Sequence, residues 1–389
     1  MHTGRYIFAQ VMDFLPEREF RRIVSHYNGD YKASRWSCWD HLLALAFAQL
    51  TFRESLREIE DCLRPRTHQL YHLGFRGTIA RSTLADANAG RDWRIFRDFA
   101  LLLITRAREL YAREPLAIDD LDATVYAIDS TTVDLCLSLF PWARFRRRKG
   151  AIKIHTQLDL RGSIPTLVQV TDGKVHDVNW LDALNFERDC FYIVDRGYVD
   201  FGRLRRIHAS DAYFVTRAKS NLGFYCCHSA PVPEGSGLVC DQFIRLTNPE
   251  SKAAYPEQLR RIVYVDPDTG KRLAFLTNNF VLPALAIAQL YKARWLVELF
   301  FKWIKMNLRI KSFFGRDPNA VYMQVWCAIA IYTLLLIIRK QLGLKASMHT
   351  ILTVLSINVF EQVTIHELFT ELGCANSDGA DPNQLVINF

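Results

Sequence analysis

The sequence predicts an α/β core that carries a β-rich insertion, with a helical region before it and further helices after it. Three observations predict this arrangement. Apolar residues recur at three- and four-residue spacing through residues 1–115 and again from 282 onward, the pattern of amphipathic helices. Between 116 and 219, β-branched and aromatic runs of strand length replace that pattern. From 220 to 281, short strands alternate with turns.

Taken in order, the helical region holds LPEREFRRIVSHY (15–27), CWDHLLALAFAQLTF (38–52), SLREIEDCLR (55–64) and DWRIFRDFALLLITRARELY (92–111). Ser82 is a candidate N-cap for one more helix. Arg64, Arg66, Arg76, Arg81 and Arg91 fall in or near its turns and are candidate phosphate contacts, although the region is nearly charge-balanced and ordinary solvated arginines would look the same. The core, 116–219, opens with TVYAID, a β-branched and aromatic run ending at Asp129. After the basic segment PWARFRRRKG come strands at 152–159 and 164–170, joined by a tight turn at Arg161-Gly162-Ser163. A helix is expected over 176–186, then a strand at 190–195 that ends in Asp195, a helix over 201–209 and a strand at 213–217.

The insertion, 220–281, has expected strands at 241–246, 261–265 and 272–276, with Asp266-Pro267-Asp268-Thr269-Gly270 as a hairpin connection. The segment 282–318 completes the core with a helix that opens after Pro283 and runs past Lys305. The C-terminal region, 319–389, is helical over 320–372 and ends in a polar tail at 376–384. Its apolar run at 325–338 is 14 residues long, short of the ~18–20 that a membrane span needs, and reads as a buried helix. The N-terminus has no charged start followed by an apolar signal core.

Half of the 389 residues are hydrophobic, which excludes a disordered chain, and the length suggests two or three domains. The net charge of +8 is concentrated in two places. Residues 141–174 hold eight Lys/Arg against two Asp, and 292–311 hold six against one Glu, so the rest of the chain is near balance. A polyanionic partner would meet a local basic surface. The nine cysteines have no framework spacing, which fits a reducing cytoplasm, and Cys226, Cys227, His228 and Cys240 lack the paired spacing of a zinc site.

The helix YKARWLVELFFKWIK is where the chemistry gathers. At about 100° per residue, Tyr291, Arg294, Glu298 and Lys305 fall within one wedge of about 60°, with Lys302 and Arg309 on the same stripe. Leu296, Leu299, Phe300, Trp303 and Ile304 face the other way and belong in a core. One carboxylate among cations and a phenol is often only salt-bridge decoration. Asp129 and Asp195 change its meaning. Strand-end acids brought together repel each other unless a cation neutralises them, and Mg²⁺ takes oxygen ligands and completes its shell with substrate phosphate. His155, His176 and Asp177 are read as structural, because no elbow motif supports a Ser/His/Asp triad.

AIDSTT around Asp129, IVDRGY around Asp195 and the Y-x2-R-x3-E-x6-K string resemble the DDE transposases of bacterial insertion sequences, in the YREK subgroup named after insertion sequence four. The resemblance covers most of the chain. It implies a ribonuclease H-like catalytic core, with Asp129, Asp195 and Glu298 as catalytic residues and ligands of two Mg²⁺ ions, for which Mn²⁺ can substitute. It implies cut-and-paste movement: hydrolysis at the terminal inverted repeats, hairpin formation, reopening and strand transfer into target DNA. A homodimer on paired ends of double-stranded DNA, in the bacterial cytoplasm with the nucleoid and without a membrane, is the matching assembly. Tyr291, Arg294 and Lys305 would grip phosphates, joined by Lys302 and by the basic run Arg146, Arg147, Arg148, Lys149 and Lys153. Trp295, Phe224 and Tyr225 are candidates for stacking a flipped base. The competing expectations are a nuclease of the same fold without strand transfer and a DNA-binding descendant that has lost catalysis.

Overall fold

The computed structural model describes residues 4–375 except 32, 34–35, 117, 119–120, 147–148, 268 and 308–312. The expectations for Arg147, Arg148, Arg309 and the tail at 376–384 lie outside the described residues. The chain divides into two units, one of residues 1–112, 133–152 and 301–385, the other of 113–132, 153–300 and 386–389.

The first unit is mainly helical. Its N-terminal segment forms α1 (Ile7–Met12), α2 (Glu17–His26), α3 (Cys38–Leu50), α4 (Leu56–Leu63), α5 (Arg81–Gly90) and α6 (Arg94–Tyr111). A capping box starts α3: the Ser37 hydroxyl accepts from the Asp40 amide, and the buried Asp40 carboxylate accepts from the Ser37 amide at 2.9 Å. The same carboxylate takes the Arg76 amide at 2.8 Å, so one acid joins a helix start to a later turn. Ser82 does not cap α5, whose preceding residue is Ala80; the helix begins one residue before Ser82. Arg91 donates to the carbonyls of Ser37 and Trp36, and the Arg66 guanidinium lies 3.8 Å from the Phe360 ring centroid, so both have structural partners.

The unit's later part holds α11 (Pro318–Gln341), α12 (Met348–Asn358) and α13 (Ile365–Ala375). Asp317 caps α11 and Pro318 supplies its first turn. This helix is long and apolar enough to cross a membrane, yet 94% of its apolar window is buried inside the chain. It packs along α6, where the Tyr111 hydroxyl donates to the Leu336 carbonyl at 3.1 Å.

The second unit is built on the sheet. β1 (Val125–Leu135), β3 (Lys149–Asp159), β4 (Ile164–Asp172), β5 (Phe191–Val194) and β6 (Tyr213–Arg217) are its core strands, and the short β2 (Arg144–Arg146) pairs with the start of β3 in the first unit's span. β3 lies between β4 and β1, followed by β5 and β6. β3 and β4 are a hairpin whose turn places Gly162 and Ser163 at positive φ. β1 runs parallel to β5, and β5 parallel to β6. Spatial order β4-β3-β1-β5-β6, a hairpin-joined start and a parallel finish, is that of a ribonuclease H-like core.

The insertion strands continue this sheet. β10 (Arg272–Thr277) pairs antiparallel with β6, then β9 (Leu259–Val265), β8 (Leu238–Leu246) and β7 (Phe224–Ala230) follow outward. β7 escapes the sequence pattern because its residues are nearly all exposed, which erases the alternation that marks a half-buried strand. Two further expectations are corrected. β1 does not end at Asp129 but runs on to Leu135, carried by the strand-favouring Thr131, Thr132 and Val133 after its neighbour β5 has stopped. Residues 176–186 are not an α-helix but a 3₁₀ turn, Asp177–Ala183, in which the adjacent Trp180 and Leu181 are both buried, a placement that helical three- and four-residue spacing does not favour.

Behind β6, α7 (Phe201–Ala209) packs Leu204 and Ile207 into a core with Trp180, Leu181, Tyr198 and Phe214, and α8 (Pro249–Ala254) lies beside it. α9 (Ala284–Ala293) rests on the sheet, with the Tyr291 ring 5.0 Å from that of Phe275. Its entry is fixed by Arg260 of β9. That buried guanidinium pairs with Asp241 at 2.8 and 2.7 Å and donates to the Leu282 carbonyl at 2.6 Å, two residues before the helix.

Breaking a buried pair leaves a buried charge alone, which costs about 3–5 kcal/mol. Asp241→Ala is therefore expected to lower the unfolding free energy of the whole protein by about that amount in urea titrations. A loss below about 1 kcal/mol would mean that Arg260 finds water in place of its partner.

Candidate functional site

Strand register brings the first two acids together. Ile128 of β1 stands opposite Val194 of β5, and each is followed by an aspartate, Asp129 and Asp195. Parallel pairing thus sets both carboxylates at the same level of the sheet. Asp195 leaves its strand into a 3₁₀ turn, where the amides of Arg196 and Gly197 reach its carboxylate.

The third acid arrives on a broken helix. α9 stops at Ala293 and α10 (Trp295–Asn307) starts two residues later, with Arg294 at the joint. There the Arg294 amide bonds to Tyr291 and the Val297 amide to Arg294, both three residues back, so the helix tightens by a 3₁₀ step. The expected core face shifts with it: Val297, Phe300, Phe301 and Ile304 are buried, while Leu296, Leu299 and Trp303 are only half-buried.

The Arg294 side chain, 13% exposed, lies between two carboxylates. Nη1 donates to Asp129 Oδ2 at 3.1 Å and Nη2 to Glu298 Oε1 at 2.5 Å. Its Nε is buried without a hydrogen-bond partner. The Tyr291 hydroxyl donates to Asp195 Oδ1 at 3.2 Å, and its ring centroid is 5.7 Å from the Arg294 guanidinium carbon. In the second unit, Tyr291 with Asp195 and Arg294 with Asp129 and Glu298 are thus two hydrogen-bonded sets that adjoin where the guanidinium lies over the phenol ring.

Environment separates the two aspartates. Burial pushes the Asp129 carboxyl up to about 6, more than Arg294 and the Ser130 amide can offset. Burial also acts upward on Asp195, but the amides of Arg196 and Gly197, the Arg294 charge and the Tyr291 hydroxyl outweigh it and hold that carboxyl below its ordinary range. Burial raises the Tyr291 phenol to about 12, so it remains a hydrogen-bond donor. The donor set suits a hard divalent ion: three carboxylates, of which two already converge on one cation. Among the described residues, no three acidic, histidine or cysteine side chains stand close enough to ligate a single ion in this arrangement.

Lys302 is exposed and Lys305 half-buried farther along α10, in the first unit's span, where the exposed Lys149 begins β3 and Arg146 ends β2. Lys153 is engaged, its ammonium 2.9 Å from Asp177 Oδ1 and 2.7 Å from the Val175 carbonyl. Trp295 and Tyr225 are half-exposed; Phe224 stacks under Arg261, with 4.9 Å between guanidinium carbon and ring centroid. His155 is buried against Trp180 and bonded to Thr171, and burial lowers its pKa to about 4, which fits the structural role expected for it. Asp177 Oδ1 accepts from Ser130 Oγ at 2.5 Å, directly after Asp129. Only the adjacency of Ser130 to Asp129 hinted at this in the sequence.

Known proteins match this chain along most of its length. The family model described as Transposase DDE domain matches residues 120–334, and a domain of unknown function (DUF4372) matches residues 3–76. A protein of Sinorhizobium fredii named as transposase y4zB is 37% identical over 65% of this chain and 69% of its own length. A protein of Geobacillus stearothermophilus, named as a transposase for insertion sequence element IS5377, is 30% identical over 54% of this chain and 55% of its own. The piggyBac transposase synaptic complex with hairpin DNA, solved by cryo-EM, aligns with 97% of this chain and 87% of that one at 11% identity and a TM-score of 0.44. The DDE model takes in all three acids and more than half of the chain, which belongs to the DDE transposase family.

Proposed function

We propose that this transposase moves an insertion sequence by a cut-and-paste route and that Asp129, Asp195 and Glu298 are its catalytic acids. Phosphodiester hydrolysis and transesterification are the activity of the family, which generally uses divalent metal ions. One observation supports the residue assignment: Tyr291 and Arg294 each donate a side-chain hydrogen bond to one strand aspartate, Asp195 and Asp129, while Arg294 also holds Glu298. The three acids would hold two Mg²⁺ ions, with Mn²⁺ as a substitute, and such ions supply Lewis-acid stabilisation of charge on the attacking and leaving oxygens.

The chain's own groups do the rest. Tyr291 orients Asp195. Arg294 bridges Asp129 and Glu298 while the site is at rest, and its buried, unpartnered Nε becomes available to a phosphate only once the guanidinium moves. Uptake of an ion requires the guanidinium to release its carboxylates, so Arg294 exchanges carboxylate for phosphate as DNA arrives. Water first hydrolyses one strand at the terminal inverted repeat and frees a 3′-OH. That hydroxyl attacks the opposite strand to give a hairpin, a second hydrolysis reopens it, and the same 3′-OH joins target DNA. Lys302, Lys305, Arg146, Arg147, Arg148 and Lys149 are the candidates for contacts to the DNA backbone, with Lys153 a further one if DNA draws it from Asp177. The YREK string supports the reading of an insertion-sequence-four type transposase that works as a homodimer on paired ends at the bacterial nucleoid.

Strand cleavage tests this directly. Purified protein with Mg²⁺ or Mn²⁺ is expected to nick a fragment carrying the gene's own flanking ends at the repeat boundary and to yield a hairpin. Asp195→Asn and Glu298→Gln should each reduce cleavage by at least about a thousandfold while end binding persists. End binding without cleavage in either metal would overturn the reading in favour of a DNA-binding descendant. Nicks without hairpin or joined product would favour a nuclease.

The metal-free protein gives a pH test. Asp129 ordinarily titrates near 3.8 but here near 6, so its protonated form is favoured by folding. That contribution is fully present below a pH of about 4 and is lost as pH rises through about 6. Asp129→Asn, which cannot ionise, should therefore melt higher than wild type at neutral pH, with the gain shrinking towards roughly pH 4. A difference in melting temperature that does not change with pH would contradict the assigned shift.

A further inference from the structure

A polar chain leads away from Asp129. The Ser130 amide donates to Asp129 Oδ1 at 2.8 Å, and the Ser130 hydroxyl donates to Asp177 Oδ1 at 2.5 Å. Lys153 Nζ lies 2.9 Å from the same Asp177 oxygen and is itself anchored on the Val175 carbonyl at 2.7 Å. Its side chain is 13% exposed, so this is not a loose surface pair. The three residues come from three separate elements: β1, the 3₁₀ turn after β4, and β3.

The geometry has a consequence for Asp129. β1 has lost its neighbour β5 by this point, since pairing ends at Ile128 opposite Val194. The peptide that carries the Ser130 N–H is therefore not held on that side by the parallel ladder. The side-chain bond to Asp177 restrains it instead. Lys153 supports the charge of Asp177: burial acts upward on that carboxyl, but Ser130 and Lys153 hold it below its ordinary range. Asp177 thus stays an acceptor, and the Ser130 amide stays aimed at Asp129.

We propose that Asp177, through Ser130 and with Lys153 as its counter-ion, is a positioning residue that fixes the Asp129 carboxylate for ion binding. The proposal rests on the assignment of Asp129 as a metal-binding acid. Groups that orient a ligand without touching the ion characteristically change metal affinity or activity about 10–100-fold when removed.

The test is a double-mutant cycle on the full-length protein, read by Mn²⁺ titration with electron paramagnetic resonance and by the Mn²⁺ half-saturation of end cleavage. Ser130→Ala and Asp177→Asn are each expected to weaken Mn²⁺ binding about tenfold or more, and the double variant to be no worse than the weaker single one. Ser130→Thr, which keeps the hydroxyl and suits a strand, should restore both readouts. Near-ultraviolet circular dichroism identifies a variant that fails to fold; should Asp177→Asn do so, Ser130→Ala against Ser130→Thr decides the matter. Single effects within twofold of wild type, or effects that multiply in the double variant, would overturn the proposal. So would an Asp177→Asn loss as deep as that of Asp129→Asn with Ser130→Ala unaffected, because Asp177 would then act on the ion directly. If Asp129→Asn itself keeps Mn²⁺ affinity and cleavage, the assignment of Asp129 fails instead.

Discussion

One buried guanidinium shared by two carboxylates holds this site together. Three acids cannot occupy one neighbourhood of low polarity without a cation, and Arg294 is that cation, bonded to Asp129 and Glu298 while Tyr291 holds Asp195. At an effective dielectric of about 20, each close pair attracts by several kcal/mol, but removing the guanidinium and both carboxylates from water costs a comparable amount. The triad therefore adds little to net stability. Its effect is to make two acids face one cation, which is the arrangement that a divalent ion would take over.

The sheet and the helix joint exist in relation to that point. Parallel register between β1 and β5 decides that Asp129 and Asp195 are neighbours, and a slip by one residue would send one of them to the opposite face. The insertion strands extend the same sheet, and through Arg260 they fix the entry of α9. From there, ten helical residues lead to Arg294, where a 3₁₀ step resets the direction before Glu298. The position of the third acid thus depends on a buried ion pair in strands that carry none of the three acids.

Much of this was legible in the sequence, and the reasons are local. Asp129 and Asp195 each follow an apolar run, VYAI and FYIV, whose burial on both faces reads as a central strand. Arg294 and Glu298 are four residues apart on a helix, a spacing that places their side chains together. What could not be read is tertiary or unpatterned. The break at Arg294 involves neither proline nor glycine, so nothing in YKARWLVELF marks it. β7 shows no alternation because it is exposed on both faces. Asp177 lies 47 residues from Ser130, and no periodicity predicts that their side chains meet. Arg294 itself was expected on phosphate, whereas at rest it holds the acids.

The exchange at Arg294 is the central claim, and Mn²⁺ affinity in the absence of DNA tests it most directly. With the guanidinium replaced in Arg294→Met, the carboxylates lose their competing cation, and calorimetric titration should show tighter Mn²⁺ binding than in wild type. Glu298→Gln in the same background should weaken it again. Equal or weaker Mn²⁺ binding by Arg294→Met, in a protein that keeps its fold, would contradict the claim that guanidinium and metal compete for one site.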